Sequence, residues 1–221
     1  MPTDANPLMQ KDYRPIPGWS LLLFLATLAV IVGLIRLIGP ARLLHLSMFG
    51  VMGAFFAMGL TAVAVAVAPL GRAALPALGL RPANWKYLVF GALGTLALSV
   101  AVSQTGLQPQ GMKQVIDMVP GKVSVSLALF ALLAPIVEEL VFRGLLYGWV
   151  AGRWGGMAGL VVSSIVFAAA HIEPAHVILV LPLGFLFGWL RRRTDSLLPS
   201  LFSHIVNNGA ALLAAVYLPG V

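Results

Sequence analysis

The sequence predicts an all-α fold, a polytopic helical membrane protein of about seven to eight transmembrane helices. Of its 221 residues, 60% are hydrophobic and only 10% are charged, against about 25% charged in soluble domains. Mean hydropathy is +0.96. The apolar residues fall in runs close to the roughly 20 residues that cross the hydrocarbon core of a bilayer, and short basic connections separate them.

Residues 1–15 are polar and Pro-containing and read as a short tail. No apolar core followed by a small-residue cleavage site precedes the first run, so that run is expected to remain in the mature protein. The first span is expected over about Gly18–Ile38 and the second over about Leu46–Leu70. The connection Gly71–Lys86, with Arg72, Arg81, Trp85 and Lys86, reads as an interfacial element. The third span covers about Tyr87–Val102, and the Gln/Pro/Gly stretch Gln104–Lys122 leads out of it. The fourth covers Val123–Val150, the fifth Met157–His171, the sixth His176–Leu190 and the seventh Leu197–Leu218. This divides the chain into the tail 1–15, an amino-terminal membrane part 16–122 and a carboxyl-terminal core 123–221.

Cys is absent, which excludes a disulfide framework, a thiolate nucleophile and Cys-ligated metal. The formal net charge of +7 belongs to the connections rather than to a nucleic-acid surface. With the amino terminus in the cytoplasm, that side receives Lys11, Arg14, Arg72, Arg81, Lys86, Arg153 and Arg191–Arg193. The other side receives Arg36, Arg42, Lys113 and Lys122. The positive-inside rule favours this orientation. The run Arg191-Arg192-Arg193 reads as a topology anchor touching anionic headgroups.

Against this apolar background stand three polar signatures: Glu138-Glu139-x-x-x-Arg143, Phe167-x-x-x-His171 and His204-x-x-x-Asn208. Ionisable groups at membrane depth cost a few kcal/mol each even on insertion scales, and they usually mark a site. Pro135, just before the glutamates, removes a helical hydrogen bond and opens the backbone locally. Glu139 and Arg143 share a helical face and can pair. Glu138 points elsewhere, free to act as a general base toward water. His204 and Asn208, one turn apart, suit hydrogen-bond donation to a developing oxyanion, although such a stripe also serves as interhelical glue. Asn207 and Ser203 lie off that stripe, His176 reads as a surface residue, and His45 as interfacial and inert.

Straight rods do not bring these signatures together. At about 1.5 Å per residue, Glu138 stands roughly 22 Å above the turn at Arg153, His171 roughly 27 Å, and His204 only about 11 Å above the start of its helix. Tilt, or an unwound stretch around Gly144 and Gly148, is needed to close the gap.

His-Glu-x-x-His and Gly-x-Ser-x-Gly are absent, and no Asp lies within an expected span. Hydrolysis inside the membrane therefore has to rest on Glu and His. In their order and spacing over Val123–Asn208, the three signatures resemble those of the CaaX prenyl endoprotease and bacteriocin-processing (CPBP) family, also called the abortive-infection family. The resemblance implies a helical intramembrane protease with a catalytic cavity, formed by the carboxyl-terminal spans, that opens toward the cytoplasm. It implies that Glu138 and His171 activate water and that His204 and Asn208 stabilise the oxyanion, with Glu139, Arg143 and Phe167 in support. A metal-free site is favoured, because Asn208 beside His204 suits an oxyanion hole. The alternative is zinc on Glu138, His171 and His204, a His₂Glu set. The expected partners are a membrane-associated protein or peptide substrate and the lipid bilayer, with no nucleic acid. The rival from another class is a small transporter or binding scaffold whose buried charges form an ion path. An inactive relative that only holds a partner is a third reading.

Overall fold

The computed structural model describes residues 16–38, 47–107, 109 and 122–218. The tail 1–15, His45, Arg42, Lys113, most of the Gln104–Lys122 connection and the last three residues lie outside the described part. Among the described residues the elements are helical and there are no strands. Helix α1 spans Gly18–Ile38 and α2 spans Met48–Val67. A 3₁₀ segment, Ala68–Ala73, and the short α3, Ala74–Leu78, follow, overlapping the connection expected over Gly71–Lys86. Helix α4 is Trp85–Ser103, begun by Asn84, whose side chain accepts from the Lys86 amide at 3.0 Å. A helical stretch of 47 residues, Val123–Ala169, is called α5 here. Helices α6, Pro174–Thr194, and α7, Leu198–Tyr217, complete the chain.

Five described stretches are long and apolar enough to cross a membrane, and the chain is an integral multi-pass membrane protein. Seven to eight spans were expected, and the difference has two sources. The expected fourth and fifth spans belong to the one stretch α5, which is broken at Gly155. There φ is 84° and ψ 163°, a conformation open essentially to glycine alone. Helix α7 falls outside the five, since Ser200, Ser203, His204, Asn207 and Asn208 lower its hydropathy.

Helix α5 is not a uniform α-helix. Leu127–Leu133 and Leu140–Leu146 are π-helical and flank a six-residue α turn, Ala134–Glu139, that carries Pro135, Glu138 and Glu139. The unwinding expected around Gly144 and Gly148 is not seen, because the backbone stays helical there. A Cβ on Gly144 would come within 2.9 Å of Leu78, and one on Gly148 within 2.8 Å of Ile16. These glycines let α3 and the start of α1 close onto α5. Helix α6 crosses the second half of α5 through small residues: Cβ atoms on Gly184 and Gly188 would sit 3.1 Å from Phe167 and 2.8 Å from the Ser164 hydroxyl. Small residues at such crossings let helix backbones approach closely where lipid supplies no hydrophobic drive.

One end of the bundle gathers the basic connections. Arg153 donates to the Ile16 carbonyl at 3.5 Å, and Asp195 pairs with both Arg81 (3.1 Å) and Arg191 (2.9 Å). The Leu197 amide donates to the Gly79 carbonyl at 2.7 Å. Arg191 corrects its sequence reading. Only Arg192 and Arg193 are exposed, whereas the Arg191 side chain is buried and donates to the Arg143 carbonyl at 3.1 Å. Gly79, at φ 84°, leaves the room for its guanidinium, since a Cβ there would lie 2.6 Å from it.

Candidate active site

The site grows from the α turn of α5. Glu139 and Arg143, four residues apart, form a fully buried ion pair with Nη1 2.9 Å from Oε1. Arg143 reaches α6 as well, where Nη2 donates to the Gly184 carbonyl at 3.0 Å. The Ser164 hydroxyl donates to the same carbonyl at 2.8 Å. The guanidinium lies 4.2 Å from the Phe167 ring centroid and 5.4 Å from that of Phe187, a cation–π arrangement that strengthens on desolvation. One arginine thus ties together both halves of α5 and helix α6.

Helix α7 brings His204 to this pair. Its Nδ1 lies 3.1 Å from Glu139 Oε1, and since a carboxylate oxygen accepts, Nδ1 carries the hydrogen. The opposite nitrogen, Nε2, lies 3.6 Å from Glu138 Oε2. The two glutamates therefore do not face apart as their rotation on a regular helix suggested: both address the same imidazole. Glu138 differs in access, with 27% of its side chain exposed while Glu139 has none. The His204 ring stacks on Phe187 with centroids 4.8 Å apart.

Phe167 fills the space between the two histidines. It is buried, with its ring centroid 5.1 Å from that of His171 and 5.7 Å from that of His204, edge-on to both. His171 closes the helix, and its Nδ1 lies 3.0 Å from the Phe167 carbonyl. A carbonyl can only accept, so Nδ1 holds the hydrogen and Nε2 of the neutral ring is left as an acceptor. His176, read from sequence as a surface residue, is half-buried with its ring centroid 4.4 Å from that of His171. Its position just past the turn, five residues after His171, was the signal for this contact.

Asn208 sits one turn above His204, and its Nδ2 donates to the Phe130 carbonyl at 3.0 Å. Asn207 Nδ2 donates to Asn208 Oδ1 at 3.3 Å, and the Ser99 hydroxyl of α4 donates to Asn207 Oδ1. Asn207 was set aside from sequence because it lies off the stripe of His204 and Asn208, and no spacing rule links Ser99 to α7.

The depth mismatch of straight rods is thereby resolved. Its two starting points are not level: the turn leading into α7 is tied to residues 79–81, and Arg191 just before it reaches the Arg143 backbone. Glu138, His171 and His204 have the donor chemistry of a His₂Glu zinc site. Among the described residues, however, no three His, Asp or Glu side chains are grouped to hold an ion.

Residues 120–210, which span all three signatures, match the family model described as type II CAAX prenyl endopeptidase Rce1-like. The chain is also 25% identical over 207 residues to YdiL of Bacillus subtilis (strain 168), whose name provisionally assigns it as a membrane peptidase. That alignment covers 94% of this chain and 73% of the relative. No solved structure shows significant similarity. The likeness to the Rce1-like family thus lies in the part of the chain that carries the candidate site.

Proposed function

We propose that the protein is an intramembrane endopeptidase that hydrolyses a peptide bond of a membrane-associated protein or peptide. The observation that carries this reading is the meeting of Glu138, Glu139 and Arg143 with His204 from a helix some 60 residues further on. Glu138, the partly exposed acid, takes a proton from water as its oxygen attacks the scissile carbonyl carbon. The same proton then passes to the leaving amide nitrogen as the C–N bond breaks, giving a carboxylic acid and an amine. His171 Nε2 accepts a hydrogen bond from the water's other O–H, which stays on the oxygen and becomes the hydroxyl of the acid product. Glu139 and Arg143 hold His204, whose Nε2–H faces the reacting space; donating from Nε2 while Nδ1 donates to Glu139 requires a hydrogen on both ring nitrogens. With the second amide hydrogen of Asn208, this Nε2–H stabilises the oxyanion. The end of the bundle that carries Arg81, Arg153 and Arg191–Arg193 faces the cytoplasm in this reading, as the positive-inside rule directs. Comparison of membrane proteomes from cells with wild type and Glu138→Ala tests it. A membrane precursor should accumulate uncleaved in the variant, and identical peptide profiles would refute a protease.

The reaction proposed needs no metal. Purified protein is expected to carry substoichiometric zinc and to keep its activity after thorough chelation. Elemental analysis finding one tightly held zinc per chain, with activity lost on removal and restored on re-addition, would replace this chemistry with the zinc-dependent version.

Asn208→Ala should lower kcat about 10²–10³-fold, the usual cost of one oxyanion donor. KM should change little, because the contact is made in the transition state. Asn208→Asp should be worse, since its carboxylate repels both the oxyanion and the Phe130 carbonyl. Kinetics in which Asn208→Ala alters only KM would make Asn208 a substrate-binding residue.

A further inference from the structure

Pro135 leaves a carbonyl without a partner inside α5. In the π-helical stretch Leu127–Leu133 the Ala134 amide donates five residues back, to Leu129. The next amide in that pattern would come from residue 135 and serve Phe130, but proline has no N–H. Neither the fourth nor the fifth residue after Phe130 thus supplies its carbonyl with a hydrogen, and a bare carbonyl at membrane depth is costly. Asn208 Nδ2 supplies it from α7.

The contact also settles which way the Asn208 amide points. Its nitrogen faces Phe130 and its oxygen accepts from Asn207 Nδ2, whose own oxygen accepts from the Ser99 hydroxyl. Each link has one donor and one acceptor, so the chain Ser99 to Asn207 to Asn208 to Phe130 runs in a single direction across α4, α7 and α5. Reversing either amide would set nitrogen against nitrogen or oxygen against oxygen. All three side chains are half-buried, where a misplaced polar group is expensive.

We propose that Ser99 and Asn207 are positioning residues that, with the Phe130 carbonyl released by Pro135, hold the Asn208 carboxamide in one orientation and aim its second hydrogen at the reacting carbonyl oxygen. This rests on the oxyanion role proposed above for Asn208. It extends the site to a helix, α4, that carries none of the three signatures. It also gives Pro135 a purpose besides bending the helix: the residue turns one backbone carbonyl of α5 into a socket for α7.

The full-length chain in lipid nanodiscs, labelled with ¹⁵N-asparagine, tests the relay without a substrate. The sequence holds four asparagines, Asn6, Asn84, Asn207 and Asn208, so four side-chain amide pairs are expected. Ser99→Ala should shift or broaden the pairs of both Asn207 and Asn208, and Ser99→Thr, which retains the hydroxyl, should restore them. Pro135→Ala, which offers the Phe130 carbonyl a new backbone donor, should move the Asn208 pair. An Asn208 pair that stays at its wild-type position in both Ser99→Ala and Pro135→Ala overturns the proposal. The second arm is kinetic and uses the precursor found by the proteome comparison. Asn207→Ala and Ser99→Ala should each lower kcat roughly tenfold at unchanged KM, a smaller loss than deletion of the donor itself, as expected for loosened support. In the Asn208→Ala background neither should cost anything further, because residues acting through one another are not additive. Full additivity overturns the proposal. If Asn208→Ala leaves kcat unchanged, the oxyanion reading fails instead, and the amide spectra still judge the relay.

Discussion

Glu138→Gln is expected to abolish cleavage while the amount of folded protein in the membrane stays at the wild-type level. The amide keeps the size and most of the hydrogen bonding of the acid but cannot take a proton from water. The structure makes the two halves of this expectation separable. Glu138 touches His204 only at 3.6 Å and is partly exposed, so little packing depends on its charge. The buried contacts of the turn belong to Glu139, with Arg143 at 2.9 Å and His204 at 3.1 Å. Turnover of the precursor by purified Glu138→Gln at a near-wild-type rate would sink the proposed mechanism, and its melting profile shows whether any loss is merely one of folding.

Arg143→Ala is expected to fail in the opposite manner, through stability first. The guanidinium is wholly buried and is at once the partner of Glu139, a donor to the Gly184 carbonyl and a cation over two aromatic rings. Removing one member of a buried pair strands the other charge, at a cost of about 3–5 kcal/mol. Yield, melting temperature and activity should therefore fall together. Arg143→Lys should recover only part of the loss, because a single ammonium does not reproduce the fork that reaches Glu139 and Gly184 together. An Arg143→Ala protein that melts like wild type would show that the pair does not hold the helices together.

The contrast between these variants reflects how differently two adjacent glutamates are placed, and only part of that was readable in advance. The pairing of Glu139 with Arg143 follows from their spacing of four on one helix, a local relation that any α-helical backbone enforces. The orientation of Glu138 does not follow in the same way: both glutamates sit in one α turn, and they meet because His204 of α7 turns one ring nitrogen to each carboxylate. Pro135 was a visible warning of irregular backbone, but neither the extent of the π stretches nor the carbonyl they leave bare can be counted from one residue type.

Composition and apolar run length determine the fold class by themselves, because a bilayer leaves an apolar chain little choice but helices that satisfy their own backbone. The same economy makes the buried polar residues conspicuous, so Glu138, Glu139, Arg143, His171, His204 and Asn208 stand out as a set before any coordinates are known. Tertiary structure alone decides how they meet. The level at which α7 begins is set by contacts between residues 79–81 and 195–197, far apart in sequence. Arg191 looks like its two exposed neighbours in the sequence, yet it is buried because Gly79 leaves room for its head and the Arg143 carbonyl receives it. Ser99 and Asn207 are ordinary polar residues until helix packing lines them up with Asn208. Local spacing is written in the chain because helix geometry repeats. Contacts between helices depend on where each one starts, bends and crosses, and many residues set those features jointly.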